Sequence, residues 1–269
     1  MPSPSRHAFS LVEIAIVLVV IGLLSGGILI GQSFVANSKM KSVTVDMQQF
    51  SSATQQFITQ YNALPGDMAT ATRIWGVAGG STGFDSTCFD TFSTDAKTCN
   101  GNGDRIIGMG SGVDIHERFR FWQHLTNAGF LDRQFTGRPV TPGTNQTELG
   151  VNVPDSKYKD SGYSSISERD ATLLATVYFN TIPPDNILLF GKQIGGTDTI
   201  GPVLTPEQAY EMDTKLDDGI PGYGLLQVNR QGGGVAPNCA TTTDANSAAY
   251  DLARDSVECN LIYFLGRKV

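Results

Sequence analysis

Histidine and tryptophan are scarce in this chain, with three and two in 269 residues, and the basic residues form no run or stripe. The four cysteines, Cys88, Cys99, Cys239 and Cys259, fall into no CxxC and no Cys–His spacing, so a structural zinc site has no ligand set to draw on. Lys and Arg number 19 against 26 Asp and Glu, a formal net charge of −7. A nucleic acid is therefore not expected as a main partner. His-Glu-x-x-His and Walker sequences are missing, so no catalytic residue is nominated and the chain is not expected to be an enzyme. Gly108-Met109-Gly110-Ser111-Gly112-Val113 is half of a dinucleotide fingerprint, without its third glycine or a βαβ setting. There is no internal repeat or low-complexity tract.

What is present is unevenly spread. Thirty glycines and twelve prolines indicate many turns, which suits strands and loops better than a helical bundle. Four cysteines allow three disulfide pairings. Spacing does not choose among them, though Cys88–Cys99 and Cys239–Cys259 need the least rearrangement. Disulfides of either kind imply an oxidising compartment.

The apolar residues concentrate at the N-terminus. After MPSPSRHA, residues Phe9 to Ile30 read FSLVEIAIVLVVIGLLSGGILI, with Glu13 the sole charge. As a helix this run spans roughly 30 Å, the thickness of a bilayer core. Gly22, Ser25, Gly26, Gly27 and Gly31 are small enough to let a second helix approach closely. A secretory signal would place its small-residue cleavage site after the apolar block. Here Ala8 stands before it, so a cut there leaves the apolar helix on the mature chain. An acidic side chain in such a span costs about 3 kcal/mol even on lenient scales. Glu13 therefore either reaches back to the lipid headgroups or meets a cation, and a new α-amine on Phe9 of a neighbouring copy would supply one.

The string Ala8-Phe9-Ser10-Leu11-Val12-Glu13 resembles the processing motif of type IV prepilins and type II secretion pseudopilins. The resemblance covers about the first 30 residues. It implies that a prepilin peptidase cuts between Ala8 and Phe9 and methylates the Phe9 amine, and that Glu13 is the assembly glutamate. The expected partners are that peptidase, other pilin or pseudopilin subunits, an inner-membrane assembly platform and the lipid bilayer. The expected placement is a single pass through the inner membrane, N-terminus cytoplasmic and head outside. Two departures stand out. Ala8 replaces the usual Gly, and Ile30 occupies the place of a helix-kinking Pro, so any bend is expected at Gly26-Gly27. A membrane-tethered periplasmic enzyme or ligand-binding domain is the alternative reading.

Beyond the span, Met40, Val43, Met47, Phe50, Phe57 and Tyr61 recur at helical spacing, so one face of a continuing helix is expected to pack on a head. Leu64-Pro65-Gly66-Asp67 ends that helix. The expected organisation is a leader over 1–8, a helix over 9–61 with its membrane and assembly part over 9–30, and a head over 62–269. The fold class is α+β: a long N-terminal helix, an antiparallel sheet, further helices and long loops. Helices are expected over Ile115–Ala128, with His116 and His124 flanking its surface, and from the capping box Thr205-Pro206-Glu207-Gln208. Strands are expected over Asn186–Phe190, Gly224–Val228 and Asn260–Leu265. Asn145-Gln146-Thr147 fits a glycosylation sequon, and Trp75, Trp122 and Tyr178 read as packing aromatics.

Asn100, Asn102 and Asp104 place oxygen ligands at alternate positions, as calcium loops do. Arg105 stands where an EF-hand needs Gly and no Glu closes the loop, so the plainer reading is an Asx turn anchored by a disulfide. Asp217-Asp218-Gly219 is a second calcium candidate, its plainer reading a helix end. No other cofactor is expected.

Overall fold

The computed structural model describes residues 10–80, 82–91, 95–108, 117–141, 146–167, 179, 186–196, 198–229 and 238–265. Ala8, Phe9, His116, Asn145 and Tyr178 lie outside them. The described residues are α+β. Helices are α1 (Leu11–Tyr61), α2 (Ala71–Trp75), α3 (Ser86–Asp90), α4 (Glu117–Asn127) and α5 (Pro206–Leu216). Strands are β1 (Ser161–Ser167), β2 (Asn186–Ile194), β3 (Asp198–Gly201), β4 (Leu226–Val228) and β5 (Leu261–Phe264). The chain divides into two compact units, Met1–Lys41 and Ser42–Val269.

The first unit is the leading part of α1. Between Leu11 and Phe34 its described large apolar side chains are exposed on every side, Leu11 at 86% and Phe34 at 75%. A helix that is apolar all round is built to be covered by something other than water. This one is long and apolar enough to cross a membrane. The helix runs without interruption through Gly26 and Gly27.

In the second unit, α1 turns amphipathic. Val43, Met47, Phe50, Ala53 and Phe57 are buried. Phe50 makes edge contacts with Trp122 and Tyr163, both with ring centroids at 5.0 Å. Phe57 packs among Tyr61, Trp75, His124 and Phe130. Such aromatic pairs add to the area that burial removes from water. Polar ties fix the helix in register: Tyr163 Oη donates to Asp46 Oδ2 at 2.9 Å, and Gln55 Nε2 donates to the Leu265 carbonyl at 2.8 Å.

The sheet is antiparallel throughout and ordered β1-β2-β5-β4. Strand β2 organises it. Along one edge it pairs with all of β1, from Ser161↔Lys192 to Ser167↔Asn186. Along the other, β5 covers Ile187–Phe190 and β3 covers Lys192–Ile194. Residues Ile187 to Phe190 are wholly buried, as a near-continuous apolar strand covered on both faces should be.

Strands β2, β4 and β5 match the sequence expectation, with β2 longer and the other two shorter. β1 and β3 were not expected. β1 reads SGYSSIS, too polar for a strand signal, yet every residue in it is buried. Its serines bond inward: Ser165 Oγ donates to the Arg118 carbonyl of α4 and Ser164 Oγ accepts from Thr199 of β3. Small polar side chains with local partners let α4 lie close, an arrangement that hydrophobic periodicity cannot report.

α4 is far more enclosed than expected. Its face at Phe119, Trp122 and Leu125 is buried as expected, but so are Arg118, Arg120, Gln123 and His124. His124 is thus a core residue and not a surface one. Its Nδ1 accepts the Gly66 N–H at 2.9 Å, its Nε2 lies 3.0 Å from Thr98 Oγ1, and burial pushes its pKa down to about 3. Arg118 forms a buried ion pair with Asp198. α5 follows its expected capping box, with Thr205 Oγ1 accepting the Gln208 N–H and Gln208 Oε1 accepting the Thr205 N–H.

Both local disulfides form, Cys88–Cys99 and Cys239–Cys259, with Cα separations of 5.9 and 5.0 Å. Each removes conformations from the unfolded chain, worth about 3 kcal/mol for loops of this size in the chain-entropy account.

Candidate functional site

Three places carry the residues singled out in the sequence. The first is the start of α1. Ser10 is the residue before the helix, and its Oγ accepts the Val12 N–H at 3.4 Å. Glu13 reaches back, its Oε2 accepting the Ser10 N–H at 2.8 Å. Two donors without helical partners are thus satisfied, one by the Ser10 hydroxyl and one by the Glu13 carboxylate. It also sets a negative charge at the positive end of the helix. The signal for it, Ser-x-x-Glu, overlaps the processing motif.

The second place is the loop after Cys99. Asn100, Asn102 and Asp104 do not converge on a common point. Asn100 Oδ1 accepts from Thr72, Asn102 Oδ1 accepts the Asp104 N–H, and Asp104 Oδ1 accepts the Ile106 N–H. Two carboxylates not nominated from the sequence hold the loop. Asp67 accepts the N–H groups of Gly103, Asp104 and Arg105. Glu117 accepts those of Asn102 and Gly108. Asp67, Asp104 and Glu117 place carboxylate oxygens within 4.8 Å of one another. Most of those oxygens are spent on backbone donors, so the cluster acts as a loop clasp. Burial outweighs the three N–H donors and raises the Asp67 pKa to about 6. Gly66 holds φ at +84°, and a side chain there would strike the Glu117 carbonyl, which is why the turn before Asp67 is built on glycine. An open cleft of about 600 Å³ borders this clasp, lined by Tyr61, Asn62, Leu64, Asp67 and Arg105 among others.

The third place is the C-terminal end of α5. Asp217 is the helix C-cap, and its Oδ2 accepts the N–H groups of Leu225 and Leu226. Gly224, at φ +79°, packs where any Cβ would collide with that carboxylate. Asp218 is exposed and its Oδ1 accepts the Ile220 N–H at 2.8 Å. A third carboxylate joins them from inside the helix. Asp213 is fully buried and its Oδ2 accepts the Tyr250 hydroxyl at 2.7 Å. Burial raises the Asp213 pKa to about 7, with the Tyr250 hydroxyl and the Gly219 N–H opposing and Asp218 and Asp217 adding to the rise. The three place oxygens within 4.8 Å of one another. Asp213 was not nominated from sequence, although its spacing of four from Asp217 puts both on one helix face.

No family model matches the chain, and neither curated protein sequences nor solved structures give a significant match.

Proposed function

We propose that this chain is a filament subunit of the type IV pilin or type II secretion pseudopilin kind. In this reading it is cut before Phe9, methylated there, held in the inner membrane by the first part of α1, and polymerised through it. One observation carries the reading. The leading part of α1 is apolar on all sides, is exposed among the described residues, and bears a single carboxylate, Glu13, in its first turn. The space beside Gly22, Gly26, Gly27 and Gly31 is open, and flat small-residue surfaces of this kind suit helix against helix. The α+β second unit, with an antiparallel sheet under an amphipathic helix, is compatible with a pilin head. The two disulfides suit a head on the oxidising side of the membrane. The role is mechanical and not enzymatic, and the partners are further subunits, the peptidase, the assembly platform and the bilayer.

Mass spectrometry of the N-terminal peptide from native membranes tests it. A chain beginning at N-methylated Phe9 is the expected result. A chain still beginning at Met1 in cells with an active prepilin peptidase would overturn the reading and leave a tethered domain.

A further inference from the structure

The loop after Cys99 holds two Asn-Gly pairs in succession, Asn100-Gly101 and Asn102-Gly103. The side-chain Cγ of an asparagine can be attacked by the next backbone nitrogen, because the ring that closes has five members and glycine puts no side chain in its way. The attacking nitrogen must give up its proton, so the group its N–H faces governs how readily the ring closes. The two pairs differ in this respect. The Gly101 N–H donates to the Met68 carbonyl at 3.1 Å, and a carbonyl is no base. The Gly103 N–H donates to the Asp67 carboxylate at 2.6 Å, and a carboxylate can take the proton.

The surroundings of Asn102 extend the contrast. Its Oδ1 accepts the Asp104 N–H at 2.9 Å, a donor placed where negative charge develops as Cγ becomes tetrahedral. Its Nδ2 donates to Asp104 Oδ2 at 3.1 Å, so the amide is held at both ends. Asn102 and Gly103 are exposed, and water reaches them. Asn100 is tied elsewhere, its Oδ1 accepting from the Thr72 N–H and hydroxyl, and Gly101 is buried. Burial raises the Asp67 pKa to about 6, which makes its carboxylate a stronger base than an ordinary one and still leaves it ionised at neutral pH.

We propose that Asn102-Gly103 is a self-modifying site, at which Asp67 is the general base for deamidation. Gly103 N bonds to Asn102 Cγ as its proton passes to Asp67 Oδ1. The Cγ–Nδ2 bond then breaks, the proton moves on through solvent to the departing nitrogen, and ammonia leaves. Asp67 ends as it began, and residues 102 and 103 share a succinimide ring. Water opens the ring at either carbonyl, giving aspartate or isoaspartate at position 102. Either product adds a carboxylate beside Asp67, Asp104 and Glu117, whose oxygens already lie within 4.8 Å of one another. Isoaspartate also lengthens the backbone by one carbon, just ahead of the three N–H groups that Asp67 holds. The reaction therefore loosens the clasp that promotes it. It stands on the second unit alone and does not depend on what covers α1.

The test uses the full-length protein in detergent micelles, incubated at neutral pH. Peptide mass spectrometry follows the products at positions 100 and 102 separately. Asn102 is expected to deamidate about a hundredfold faster than Asn100, the lower end of what a positioned base supplies. In the same chain, reduced and unfolded in urea, the two pairs should react alike, and Asn102 more slowly than in the folded protein. Asp67→Asn should remove the lead of Asn102. A folded-state rate at Asn102 no higher than its rate in urea would overturn the inference, since exposure alone gives that much. So would an Asp67→Asn variant that retains a cooperative thermal transition and deamidates at Asn102 as fast as the wild type. Should Asp67→Asn fail to fold, the comparison of folded with unfolded wild type decides alone.

Discussion

The two parts of α1 are one continuous helix with opposite relations to their own chain. Between Leu11 and Val35 the large apolar side chains whose surroundings are described stand exposed, while from Val43 to Phe57 its apolar stripe is buried against the rest of the second unit. Apolar residues at period 3.6 on one face mean a surface the fold itself will cover. Apolar residues on every face mean a surface that the fold cannot cover, because a single-chain head meets a helix from one side. The difference teaches where to look for each partner: inside the chain for residues 43–57, outside it for residues 11–35.

The sharpest way to break that contrast is to exchange the effects of mutation. Glu13→Ala should abolish filament incorporation in a pull-down from membranes, since removing one member of a buried charge pair costs roughly 3–5 kcal/mol. Thermal unfolding of the second unit should not move. A filament that assembles normally would take Glu13 out of the mechanism. Phe57→Ala is the mirror image. It empties a site ringed by Tyr61, Trp75, His124 and Phe130, and should destabilise the head by about 3–5 kcal/mol in denaturant titration while membrane retention is unchanged.

Asp67→Asn comes next, because Asp67 clasps the loop that abuts the end of α1. An amide leaves one of three backbone donors facing another donor, worth about 1–3 kcal/mol at neutral pH. The pH dependence carries a definite sign. The folded pKa is raised from 3.8 to about 6, so the stability contributed through this proton is full below pH 3.8 and is lost as pH rises through 6. Denaturation midpoints measured across that window should fall in the wild type and flatten in Asp67→Asn. The smallest effect expected is that of Ser10→Ala, which removes the hydroxyl that caps the Val12 N–H at about 0.5–2 kcal/mol of local helix stability. If capping were the whole role of Glu13, Ser10→Ala and Glu13→Ala would impair incorporation alike. The proposal requires Glu13→Ala to be much the worse.

Elements whose signal is local were legible in the sequence. The capping box of α5, the amphipathic stripe of α1, the apolar run of β2 and the turn at Pro65-Gly66 each depend on neighbours within a few residues. Elements whose stability comes from across the chain were not. β1 is a strand because β2 and α4 enclose it, and its serines conceal that. His124 and Arg118 sit on a helix that looked half exposed, and only the packing of α1 and the sheet around α4 makes them core. The calcium candidates divide in the same way. Asn100, Asn102 and Asp104 had the spacing of ligands, yet backbone N–H groups use their oxygens. The carboxylates that decide the loop, Asp67 and Glu117, lie 36 and 15 residues from their donors Gly103 and Asn102.

By itself the sequence determined that the chain has an apolar helix with one acid at its start, an α+β head, and two short cysteine spacings that close with little loop entropy. These are matters of composition, period and chain distance, and they need no partner to be read. Only the tertiary structure decided which buried polar groups are satisfied. It placed Asp67 under a ring of N–H donors and Asp213 against the Tyr250 hydroxyl, because hydrogen-bond partners are chosen by where distant segments meet, and nothing along the chain records that distance.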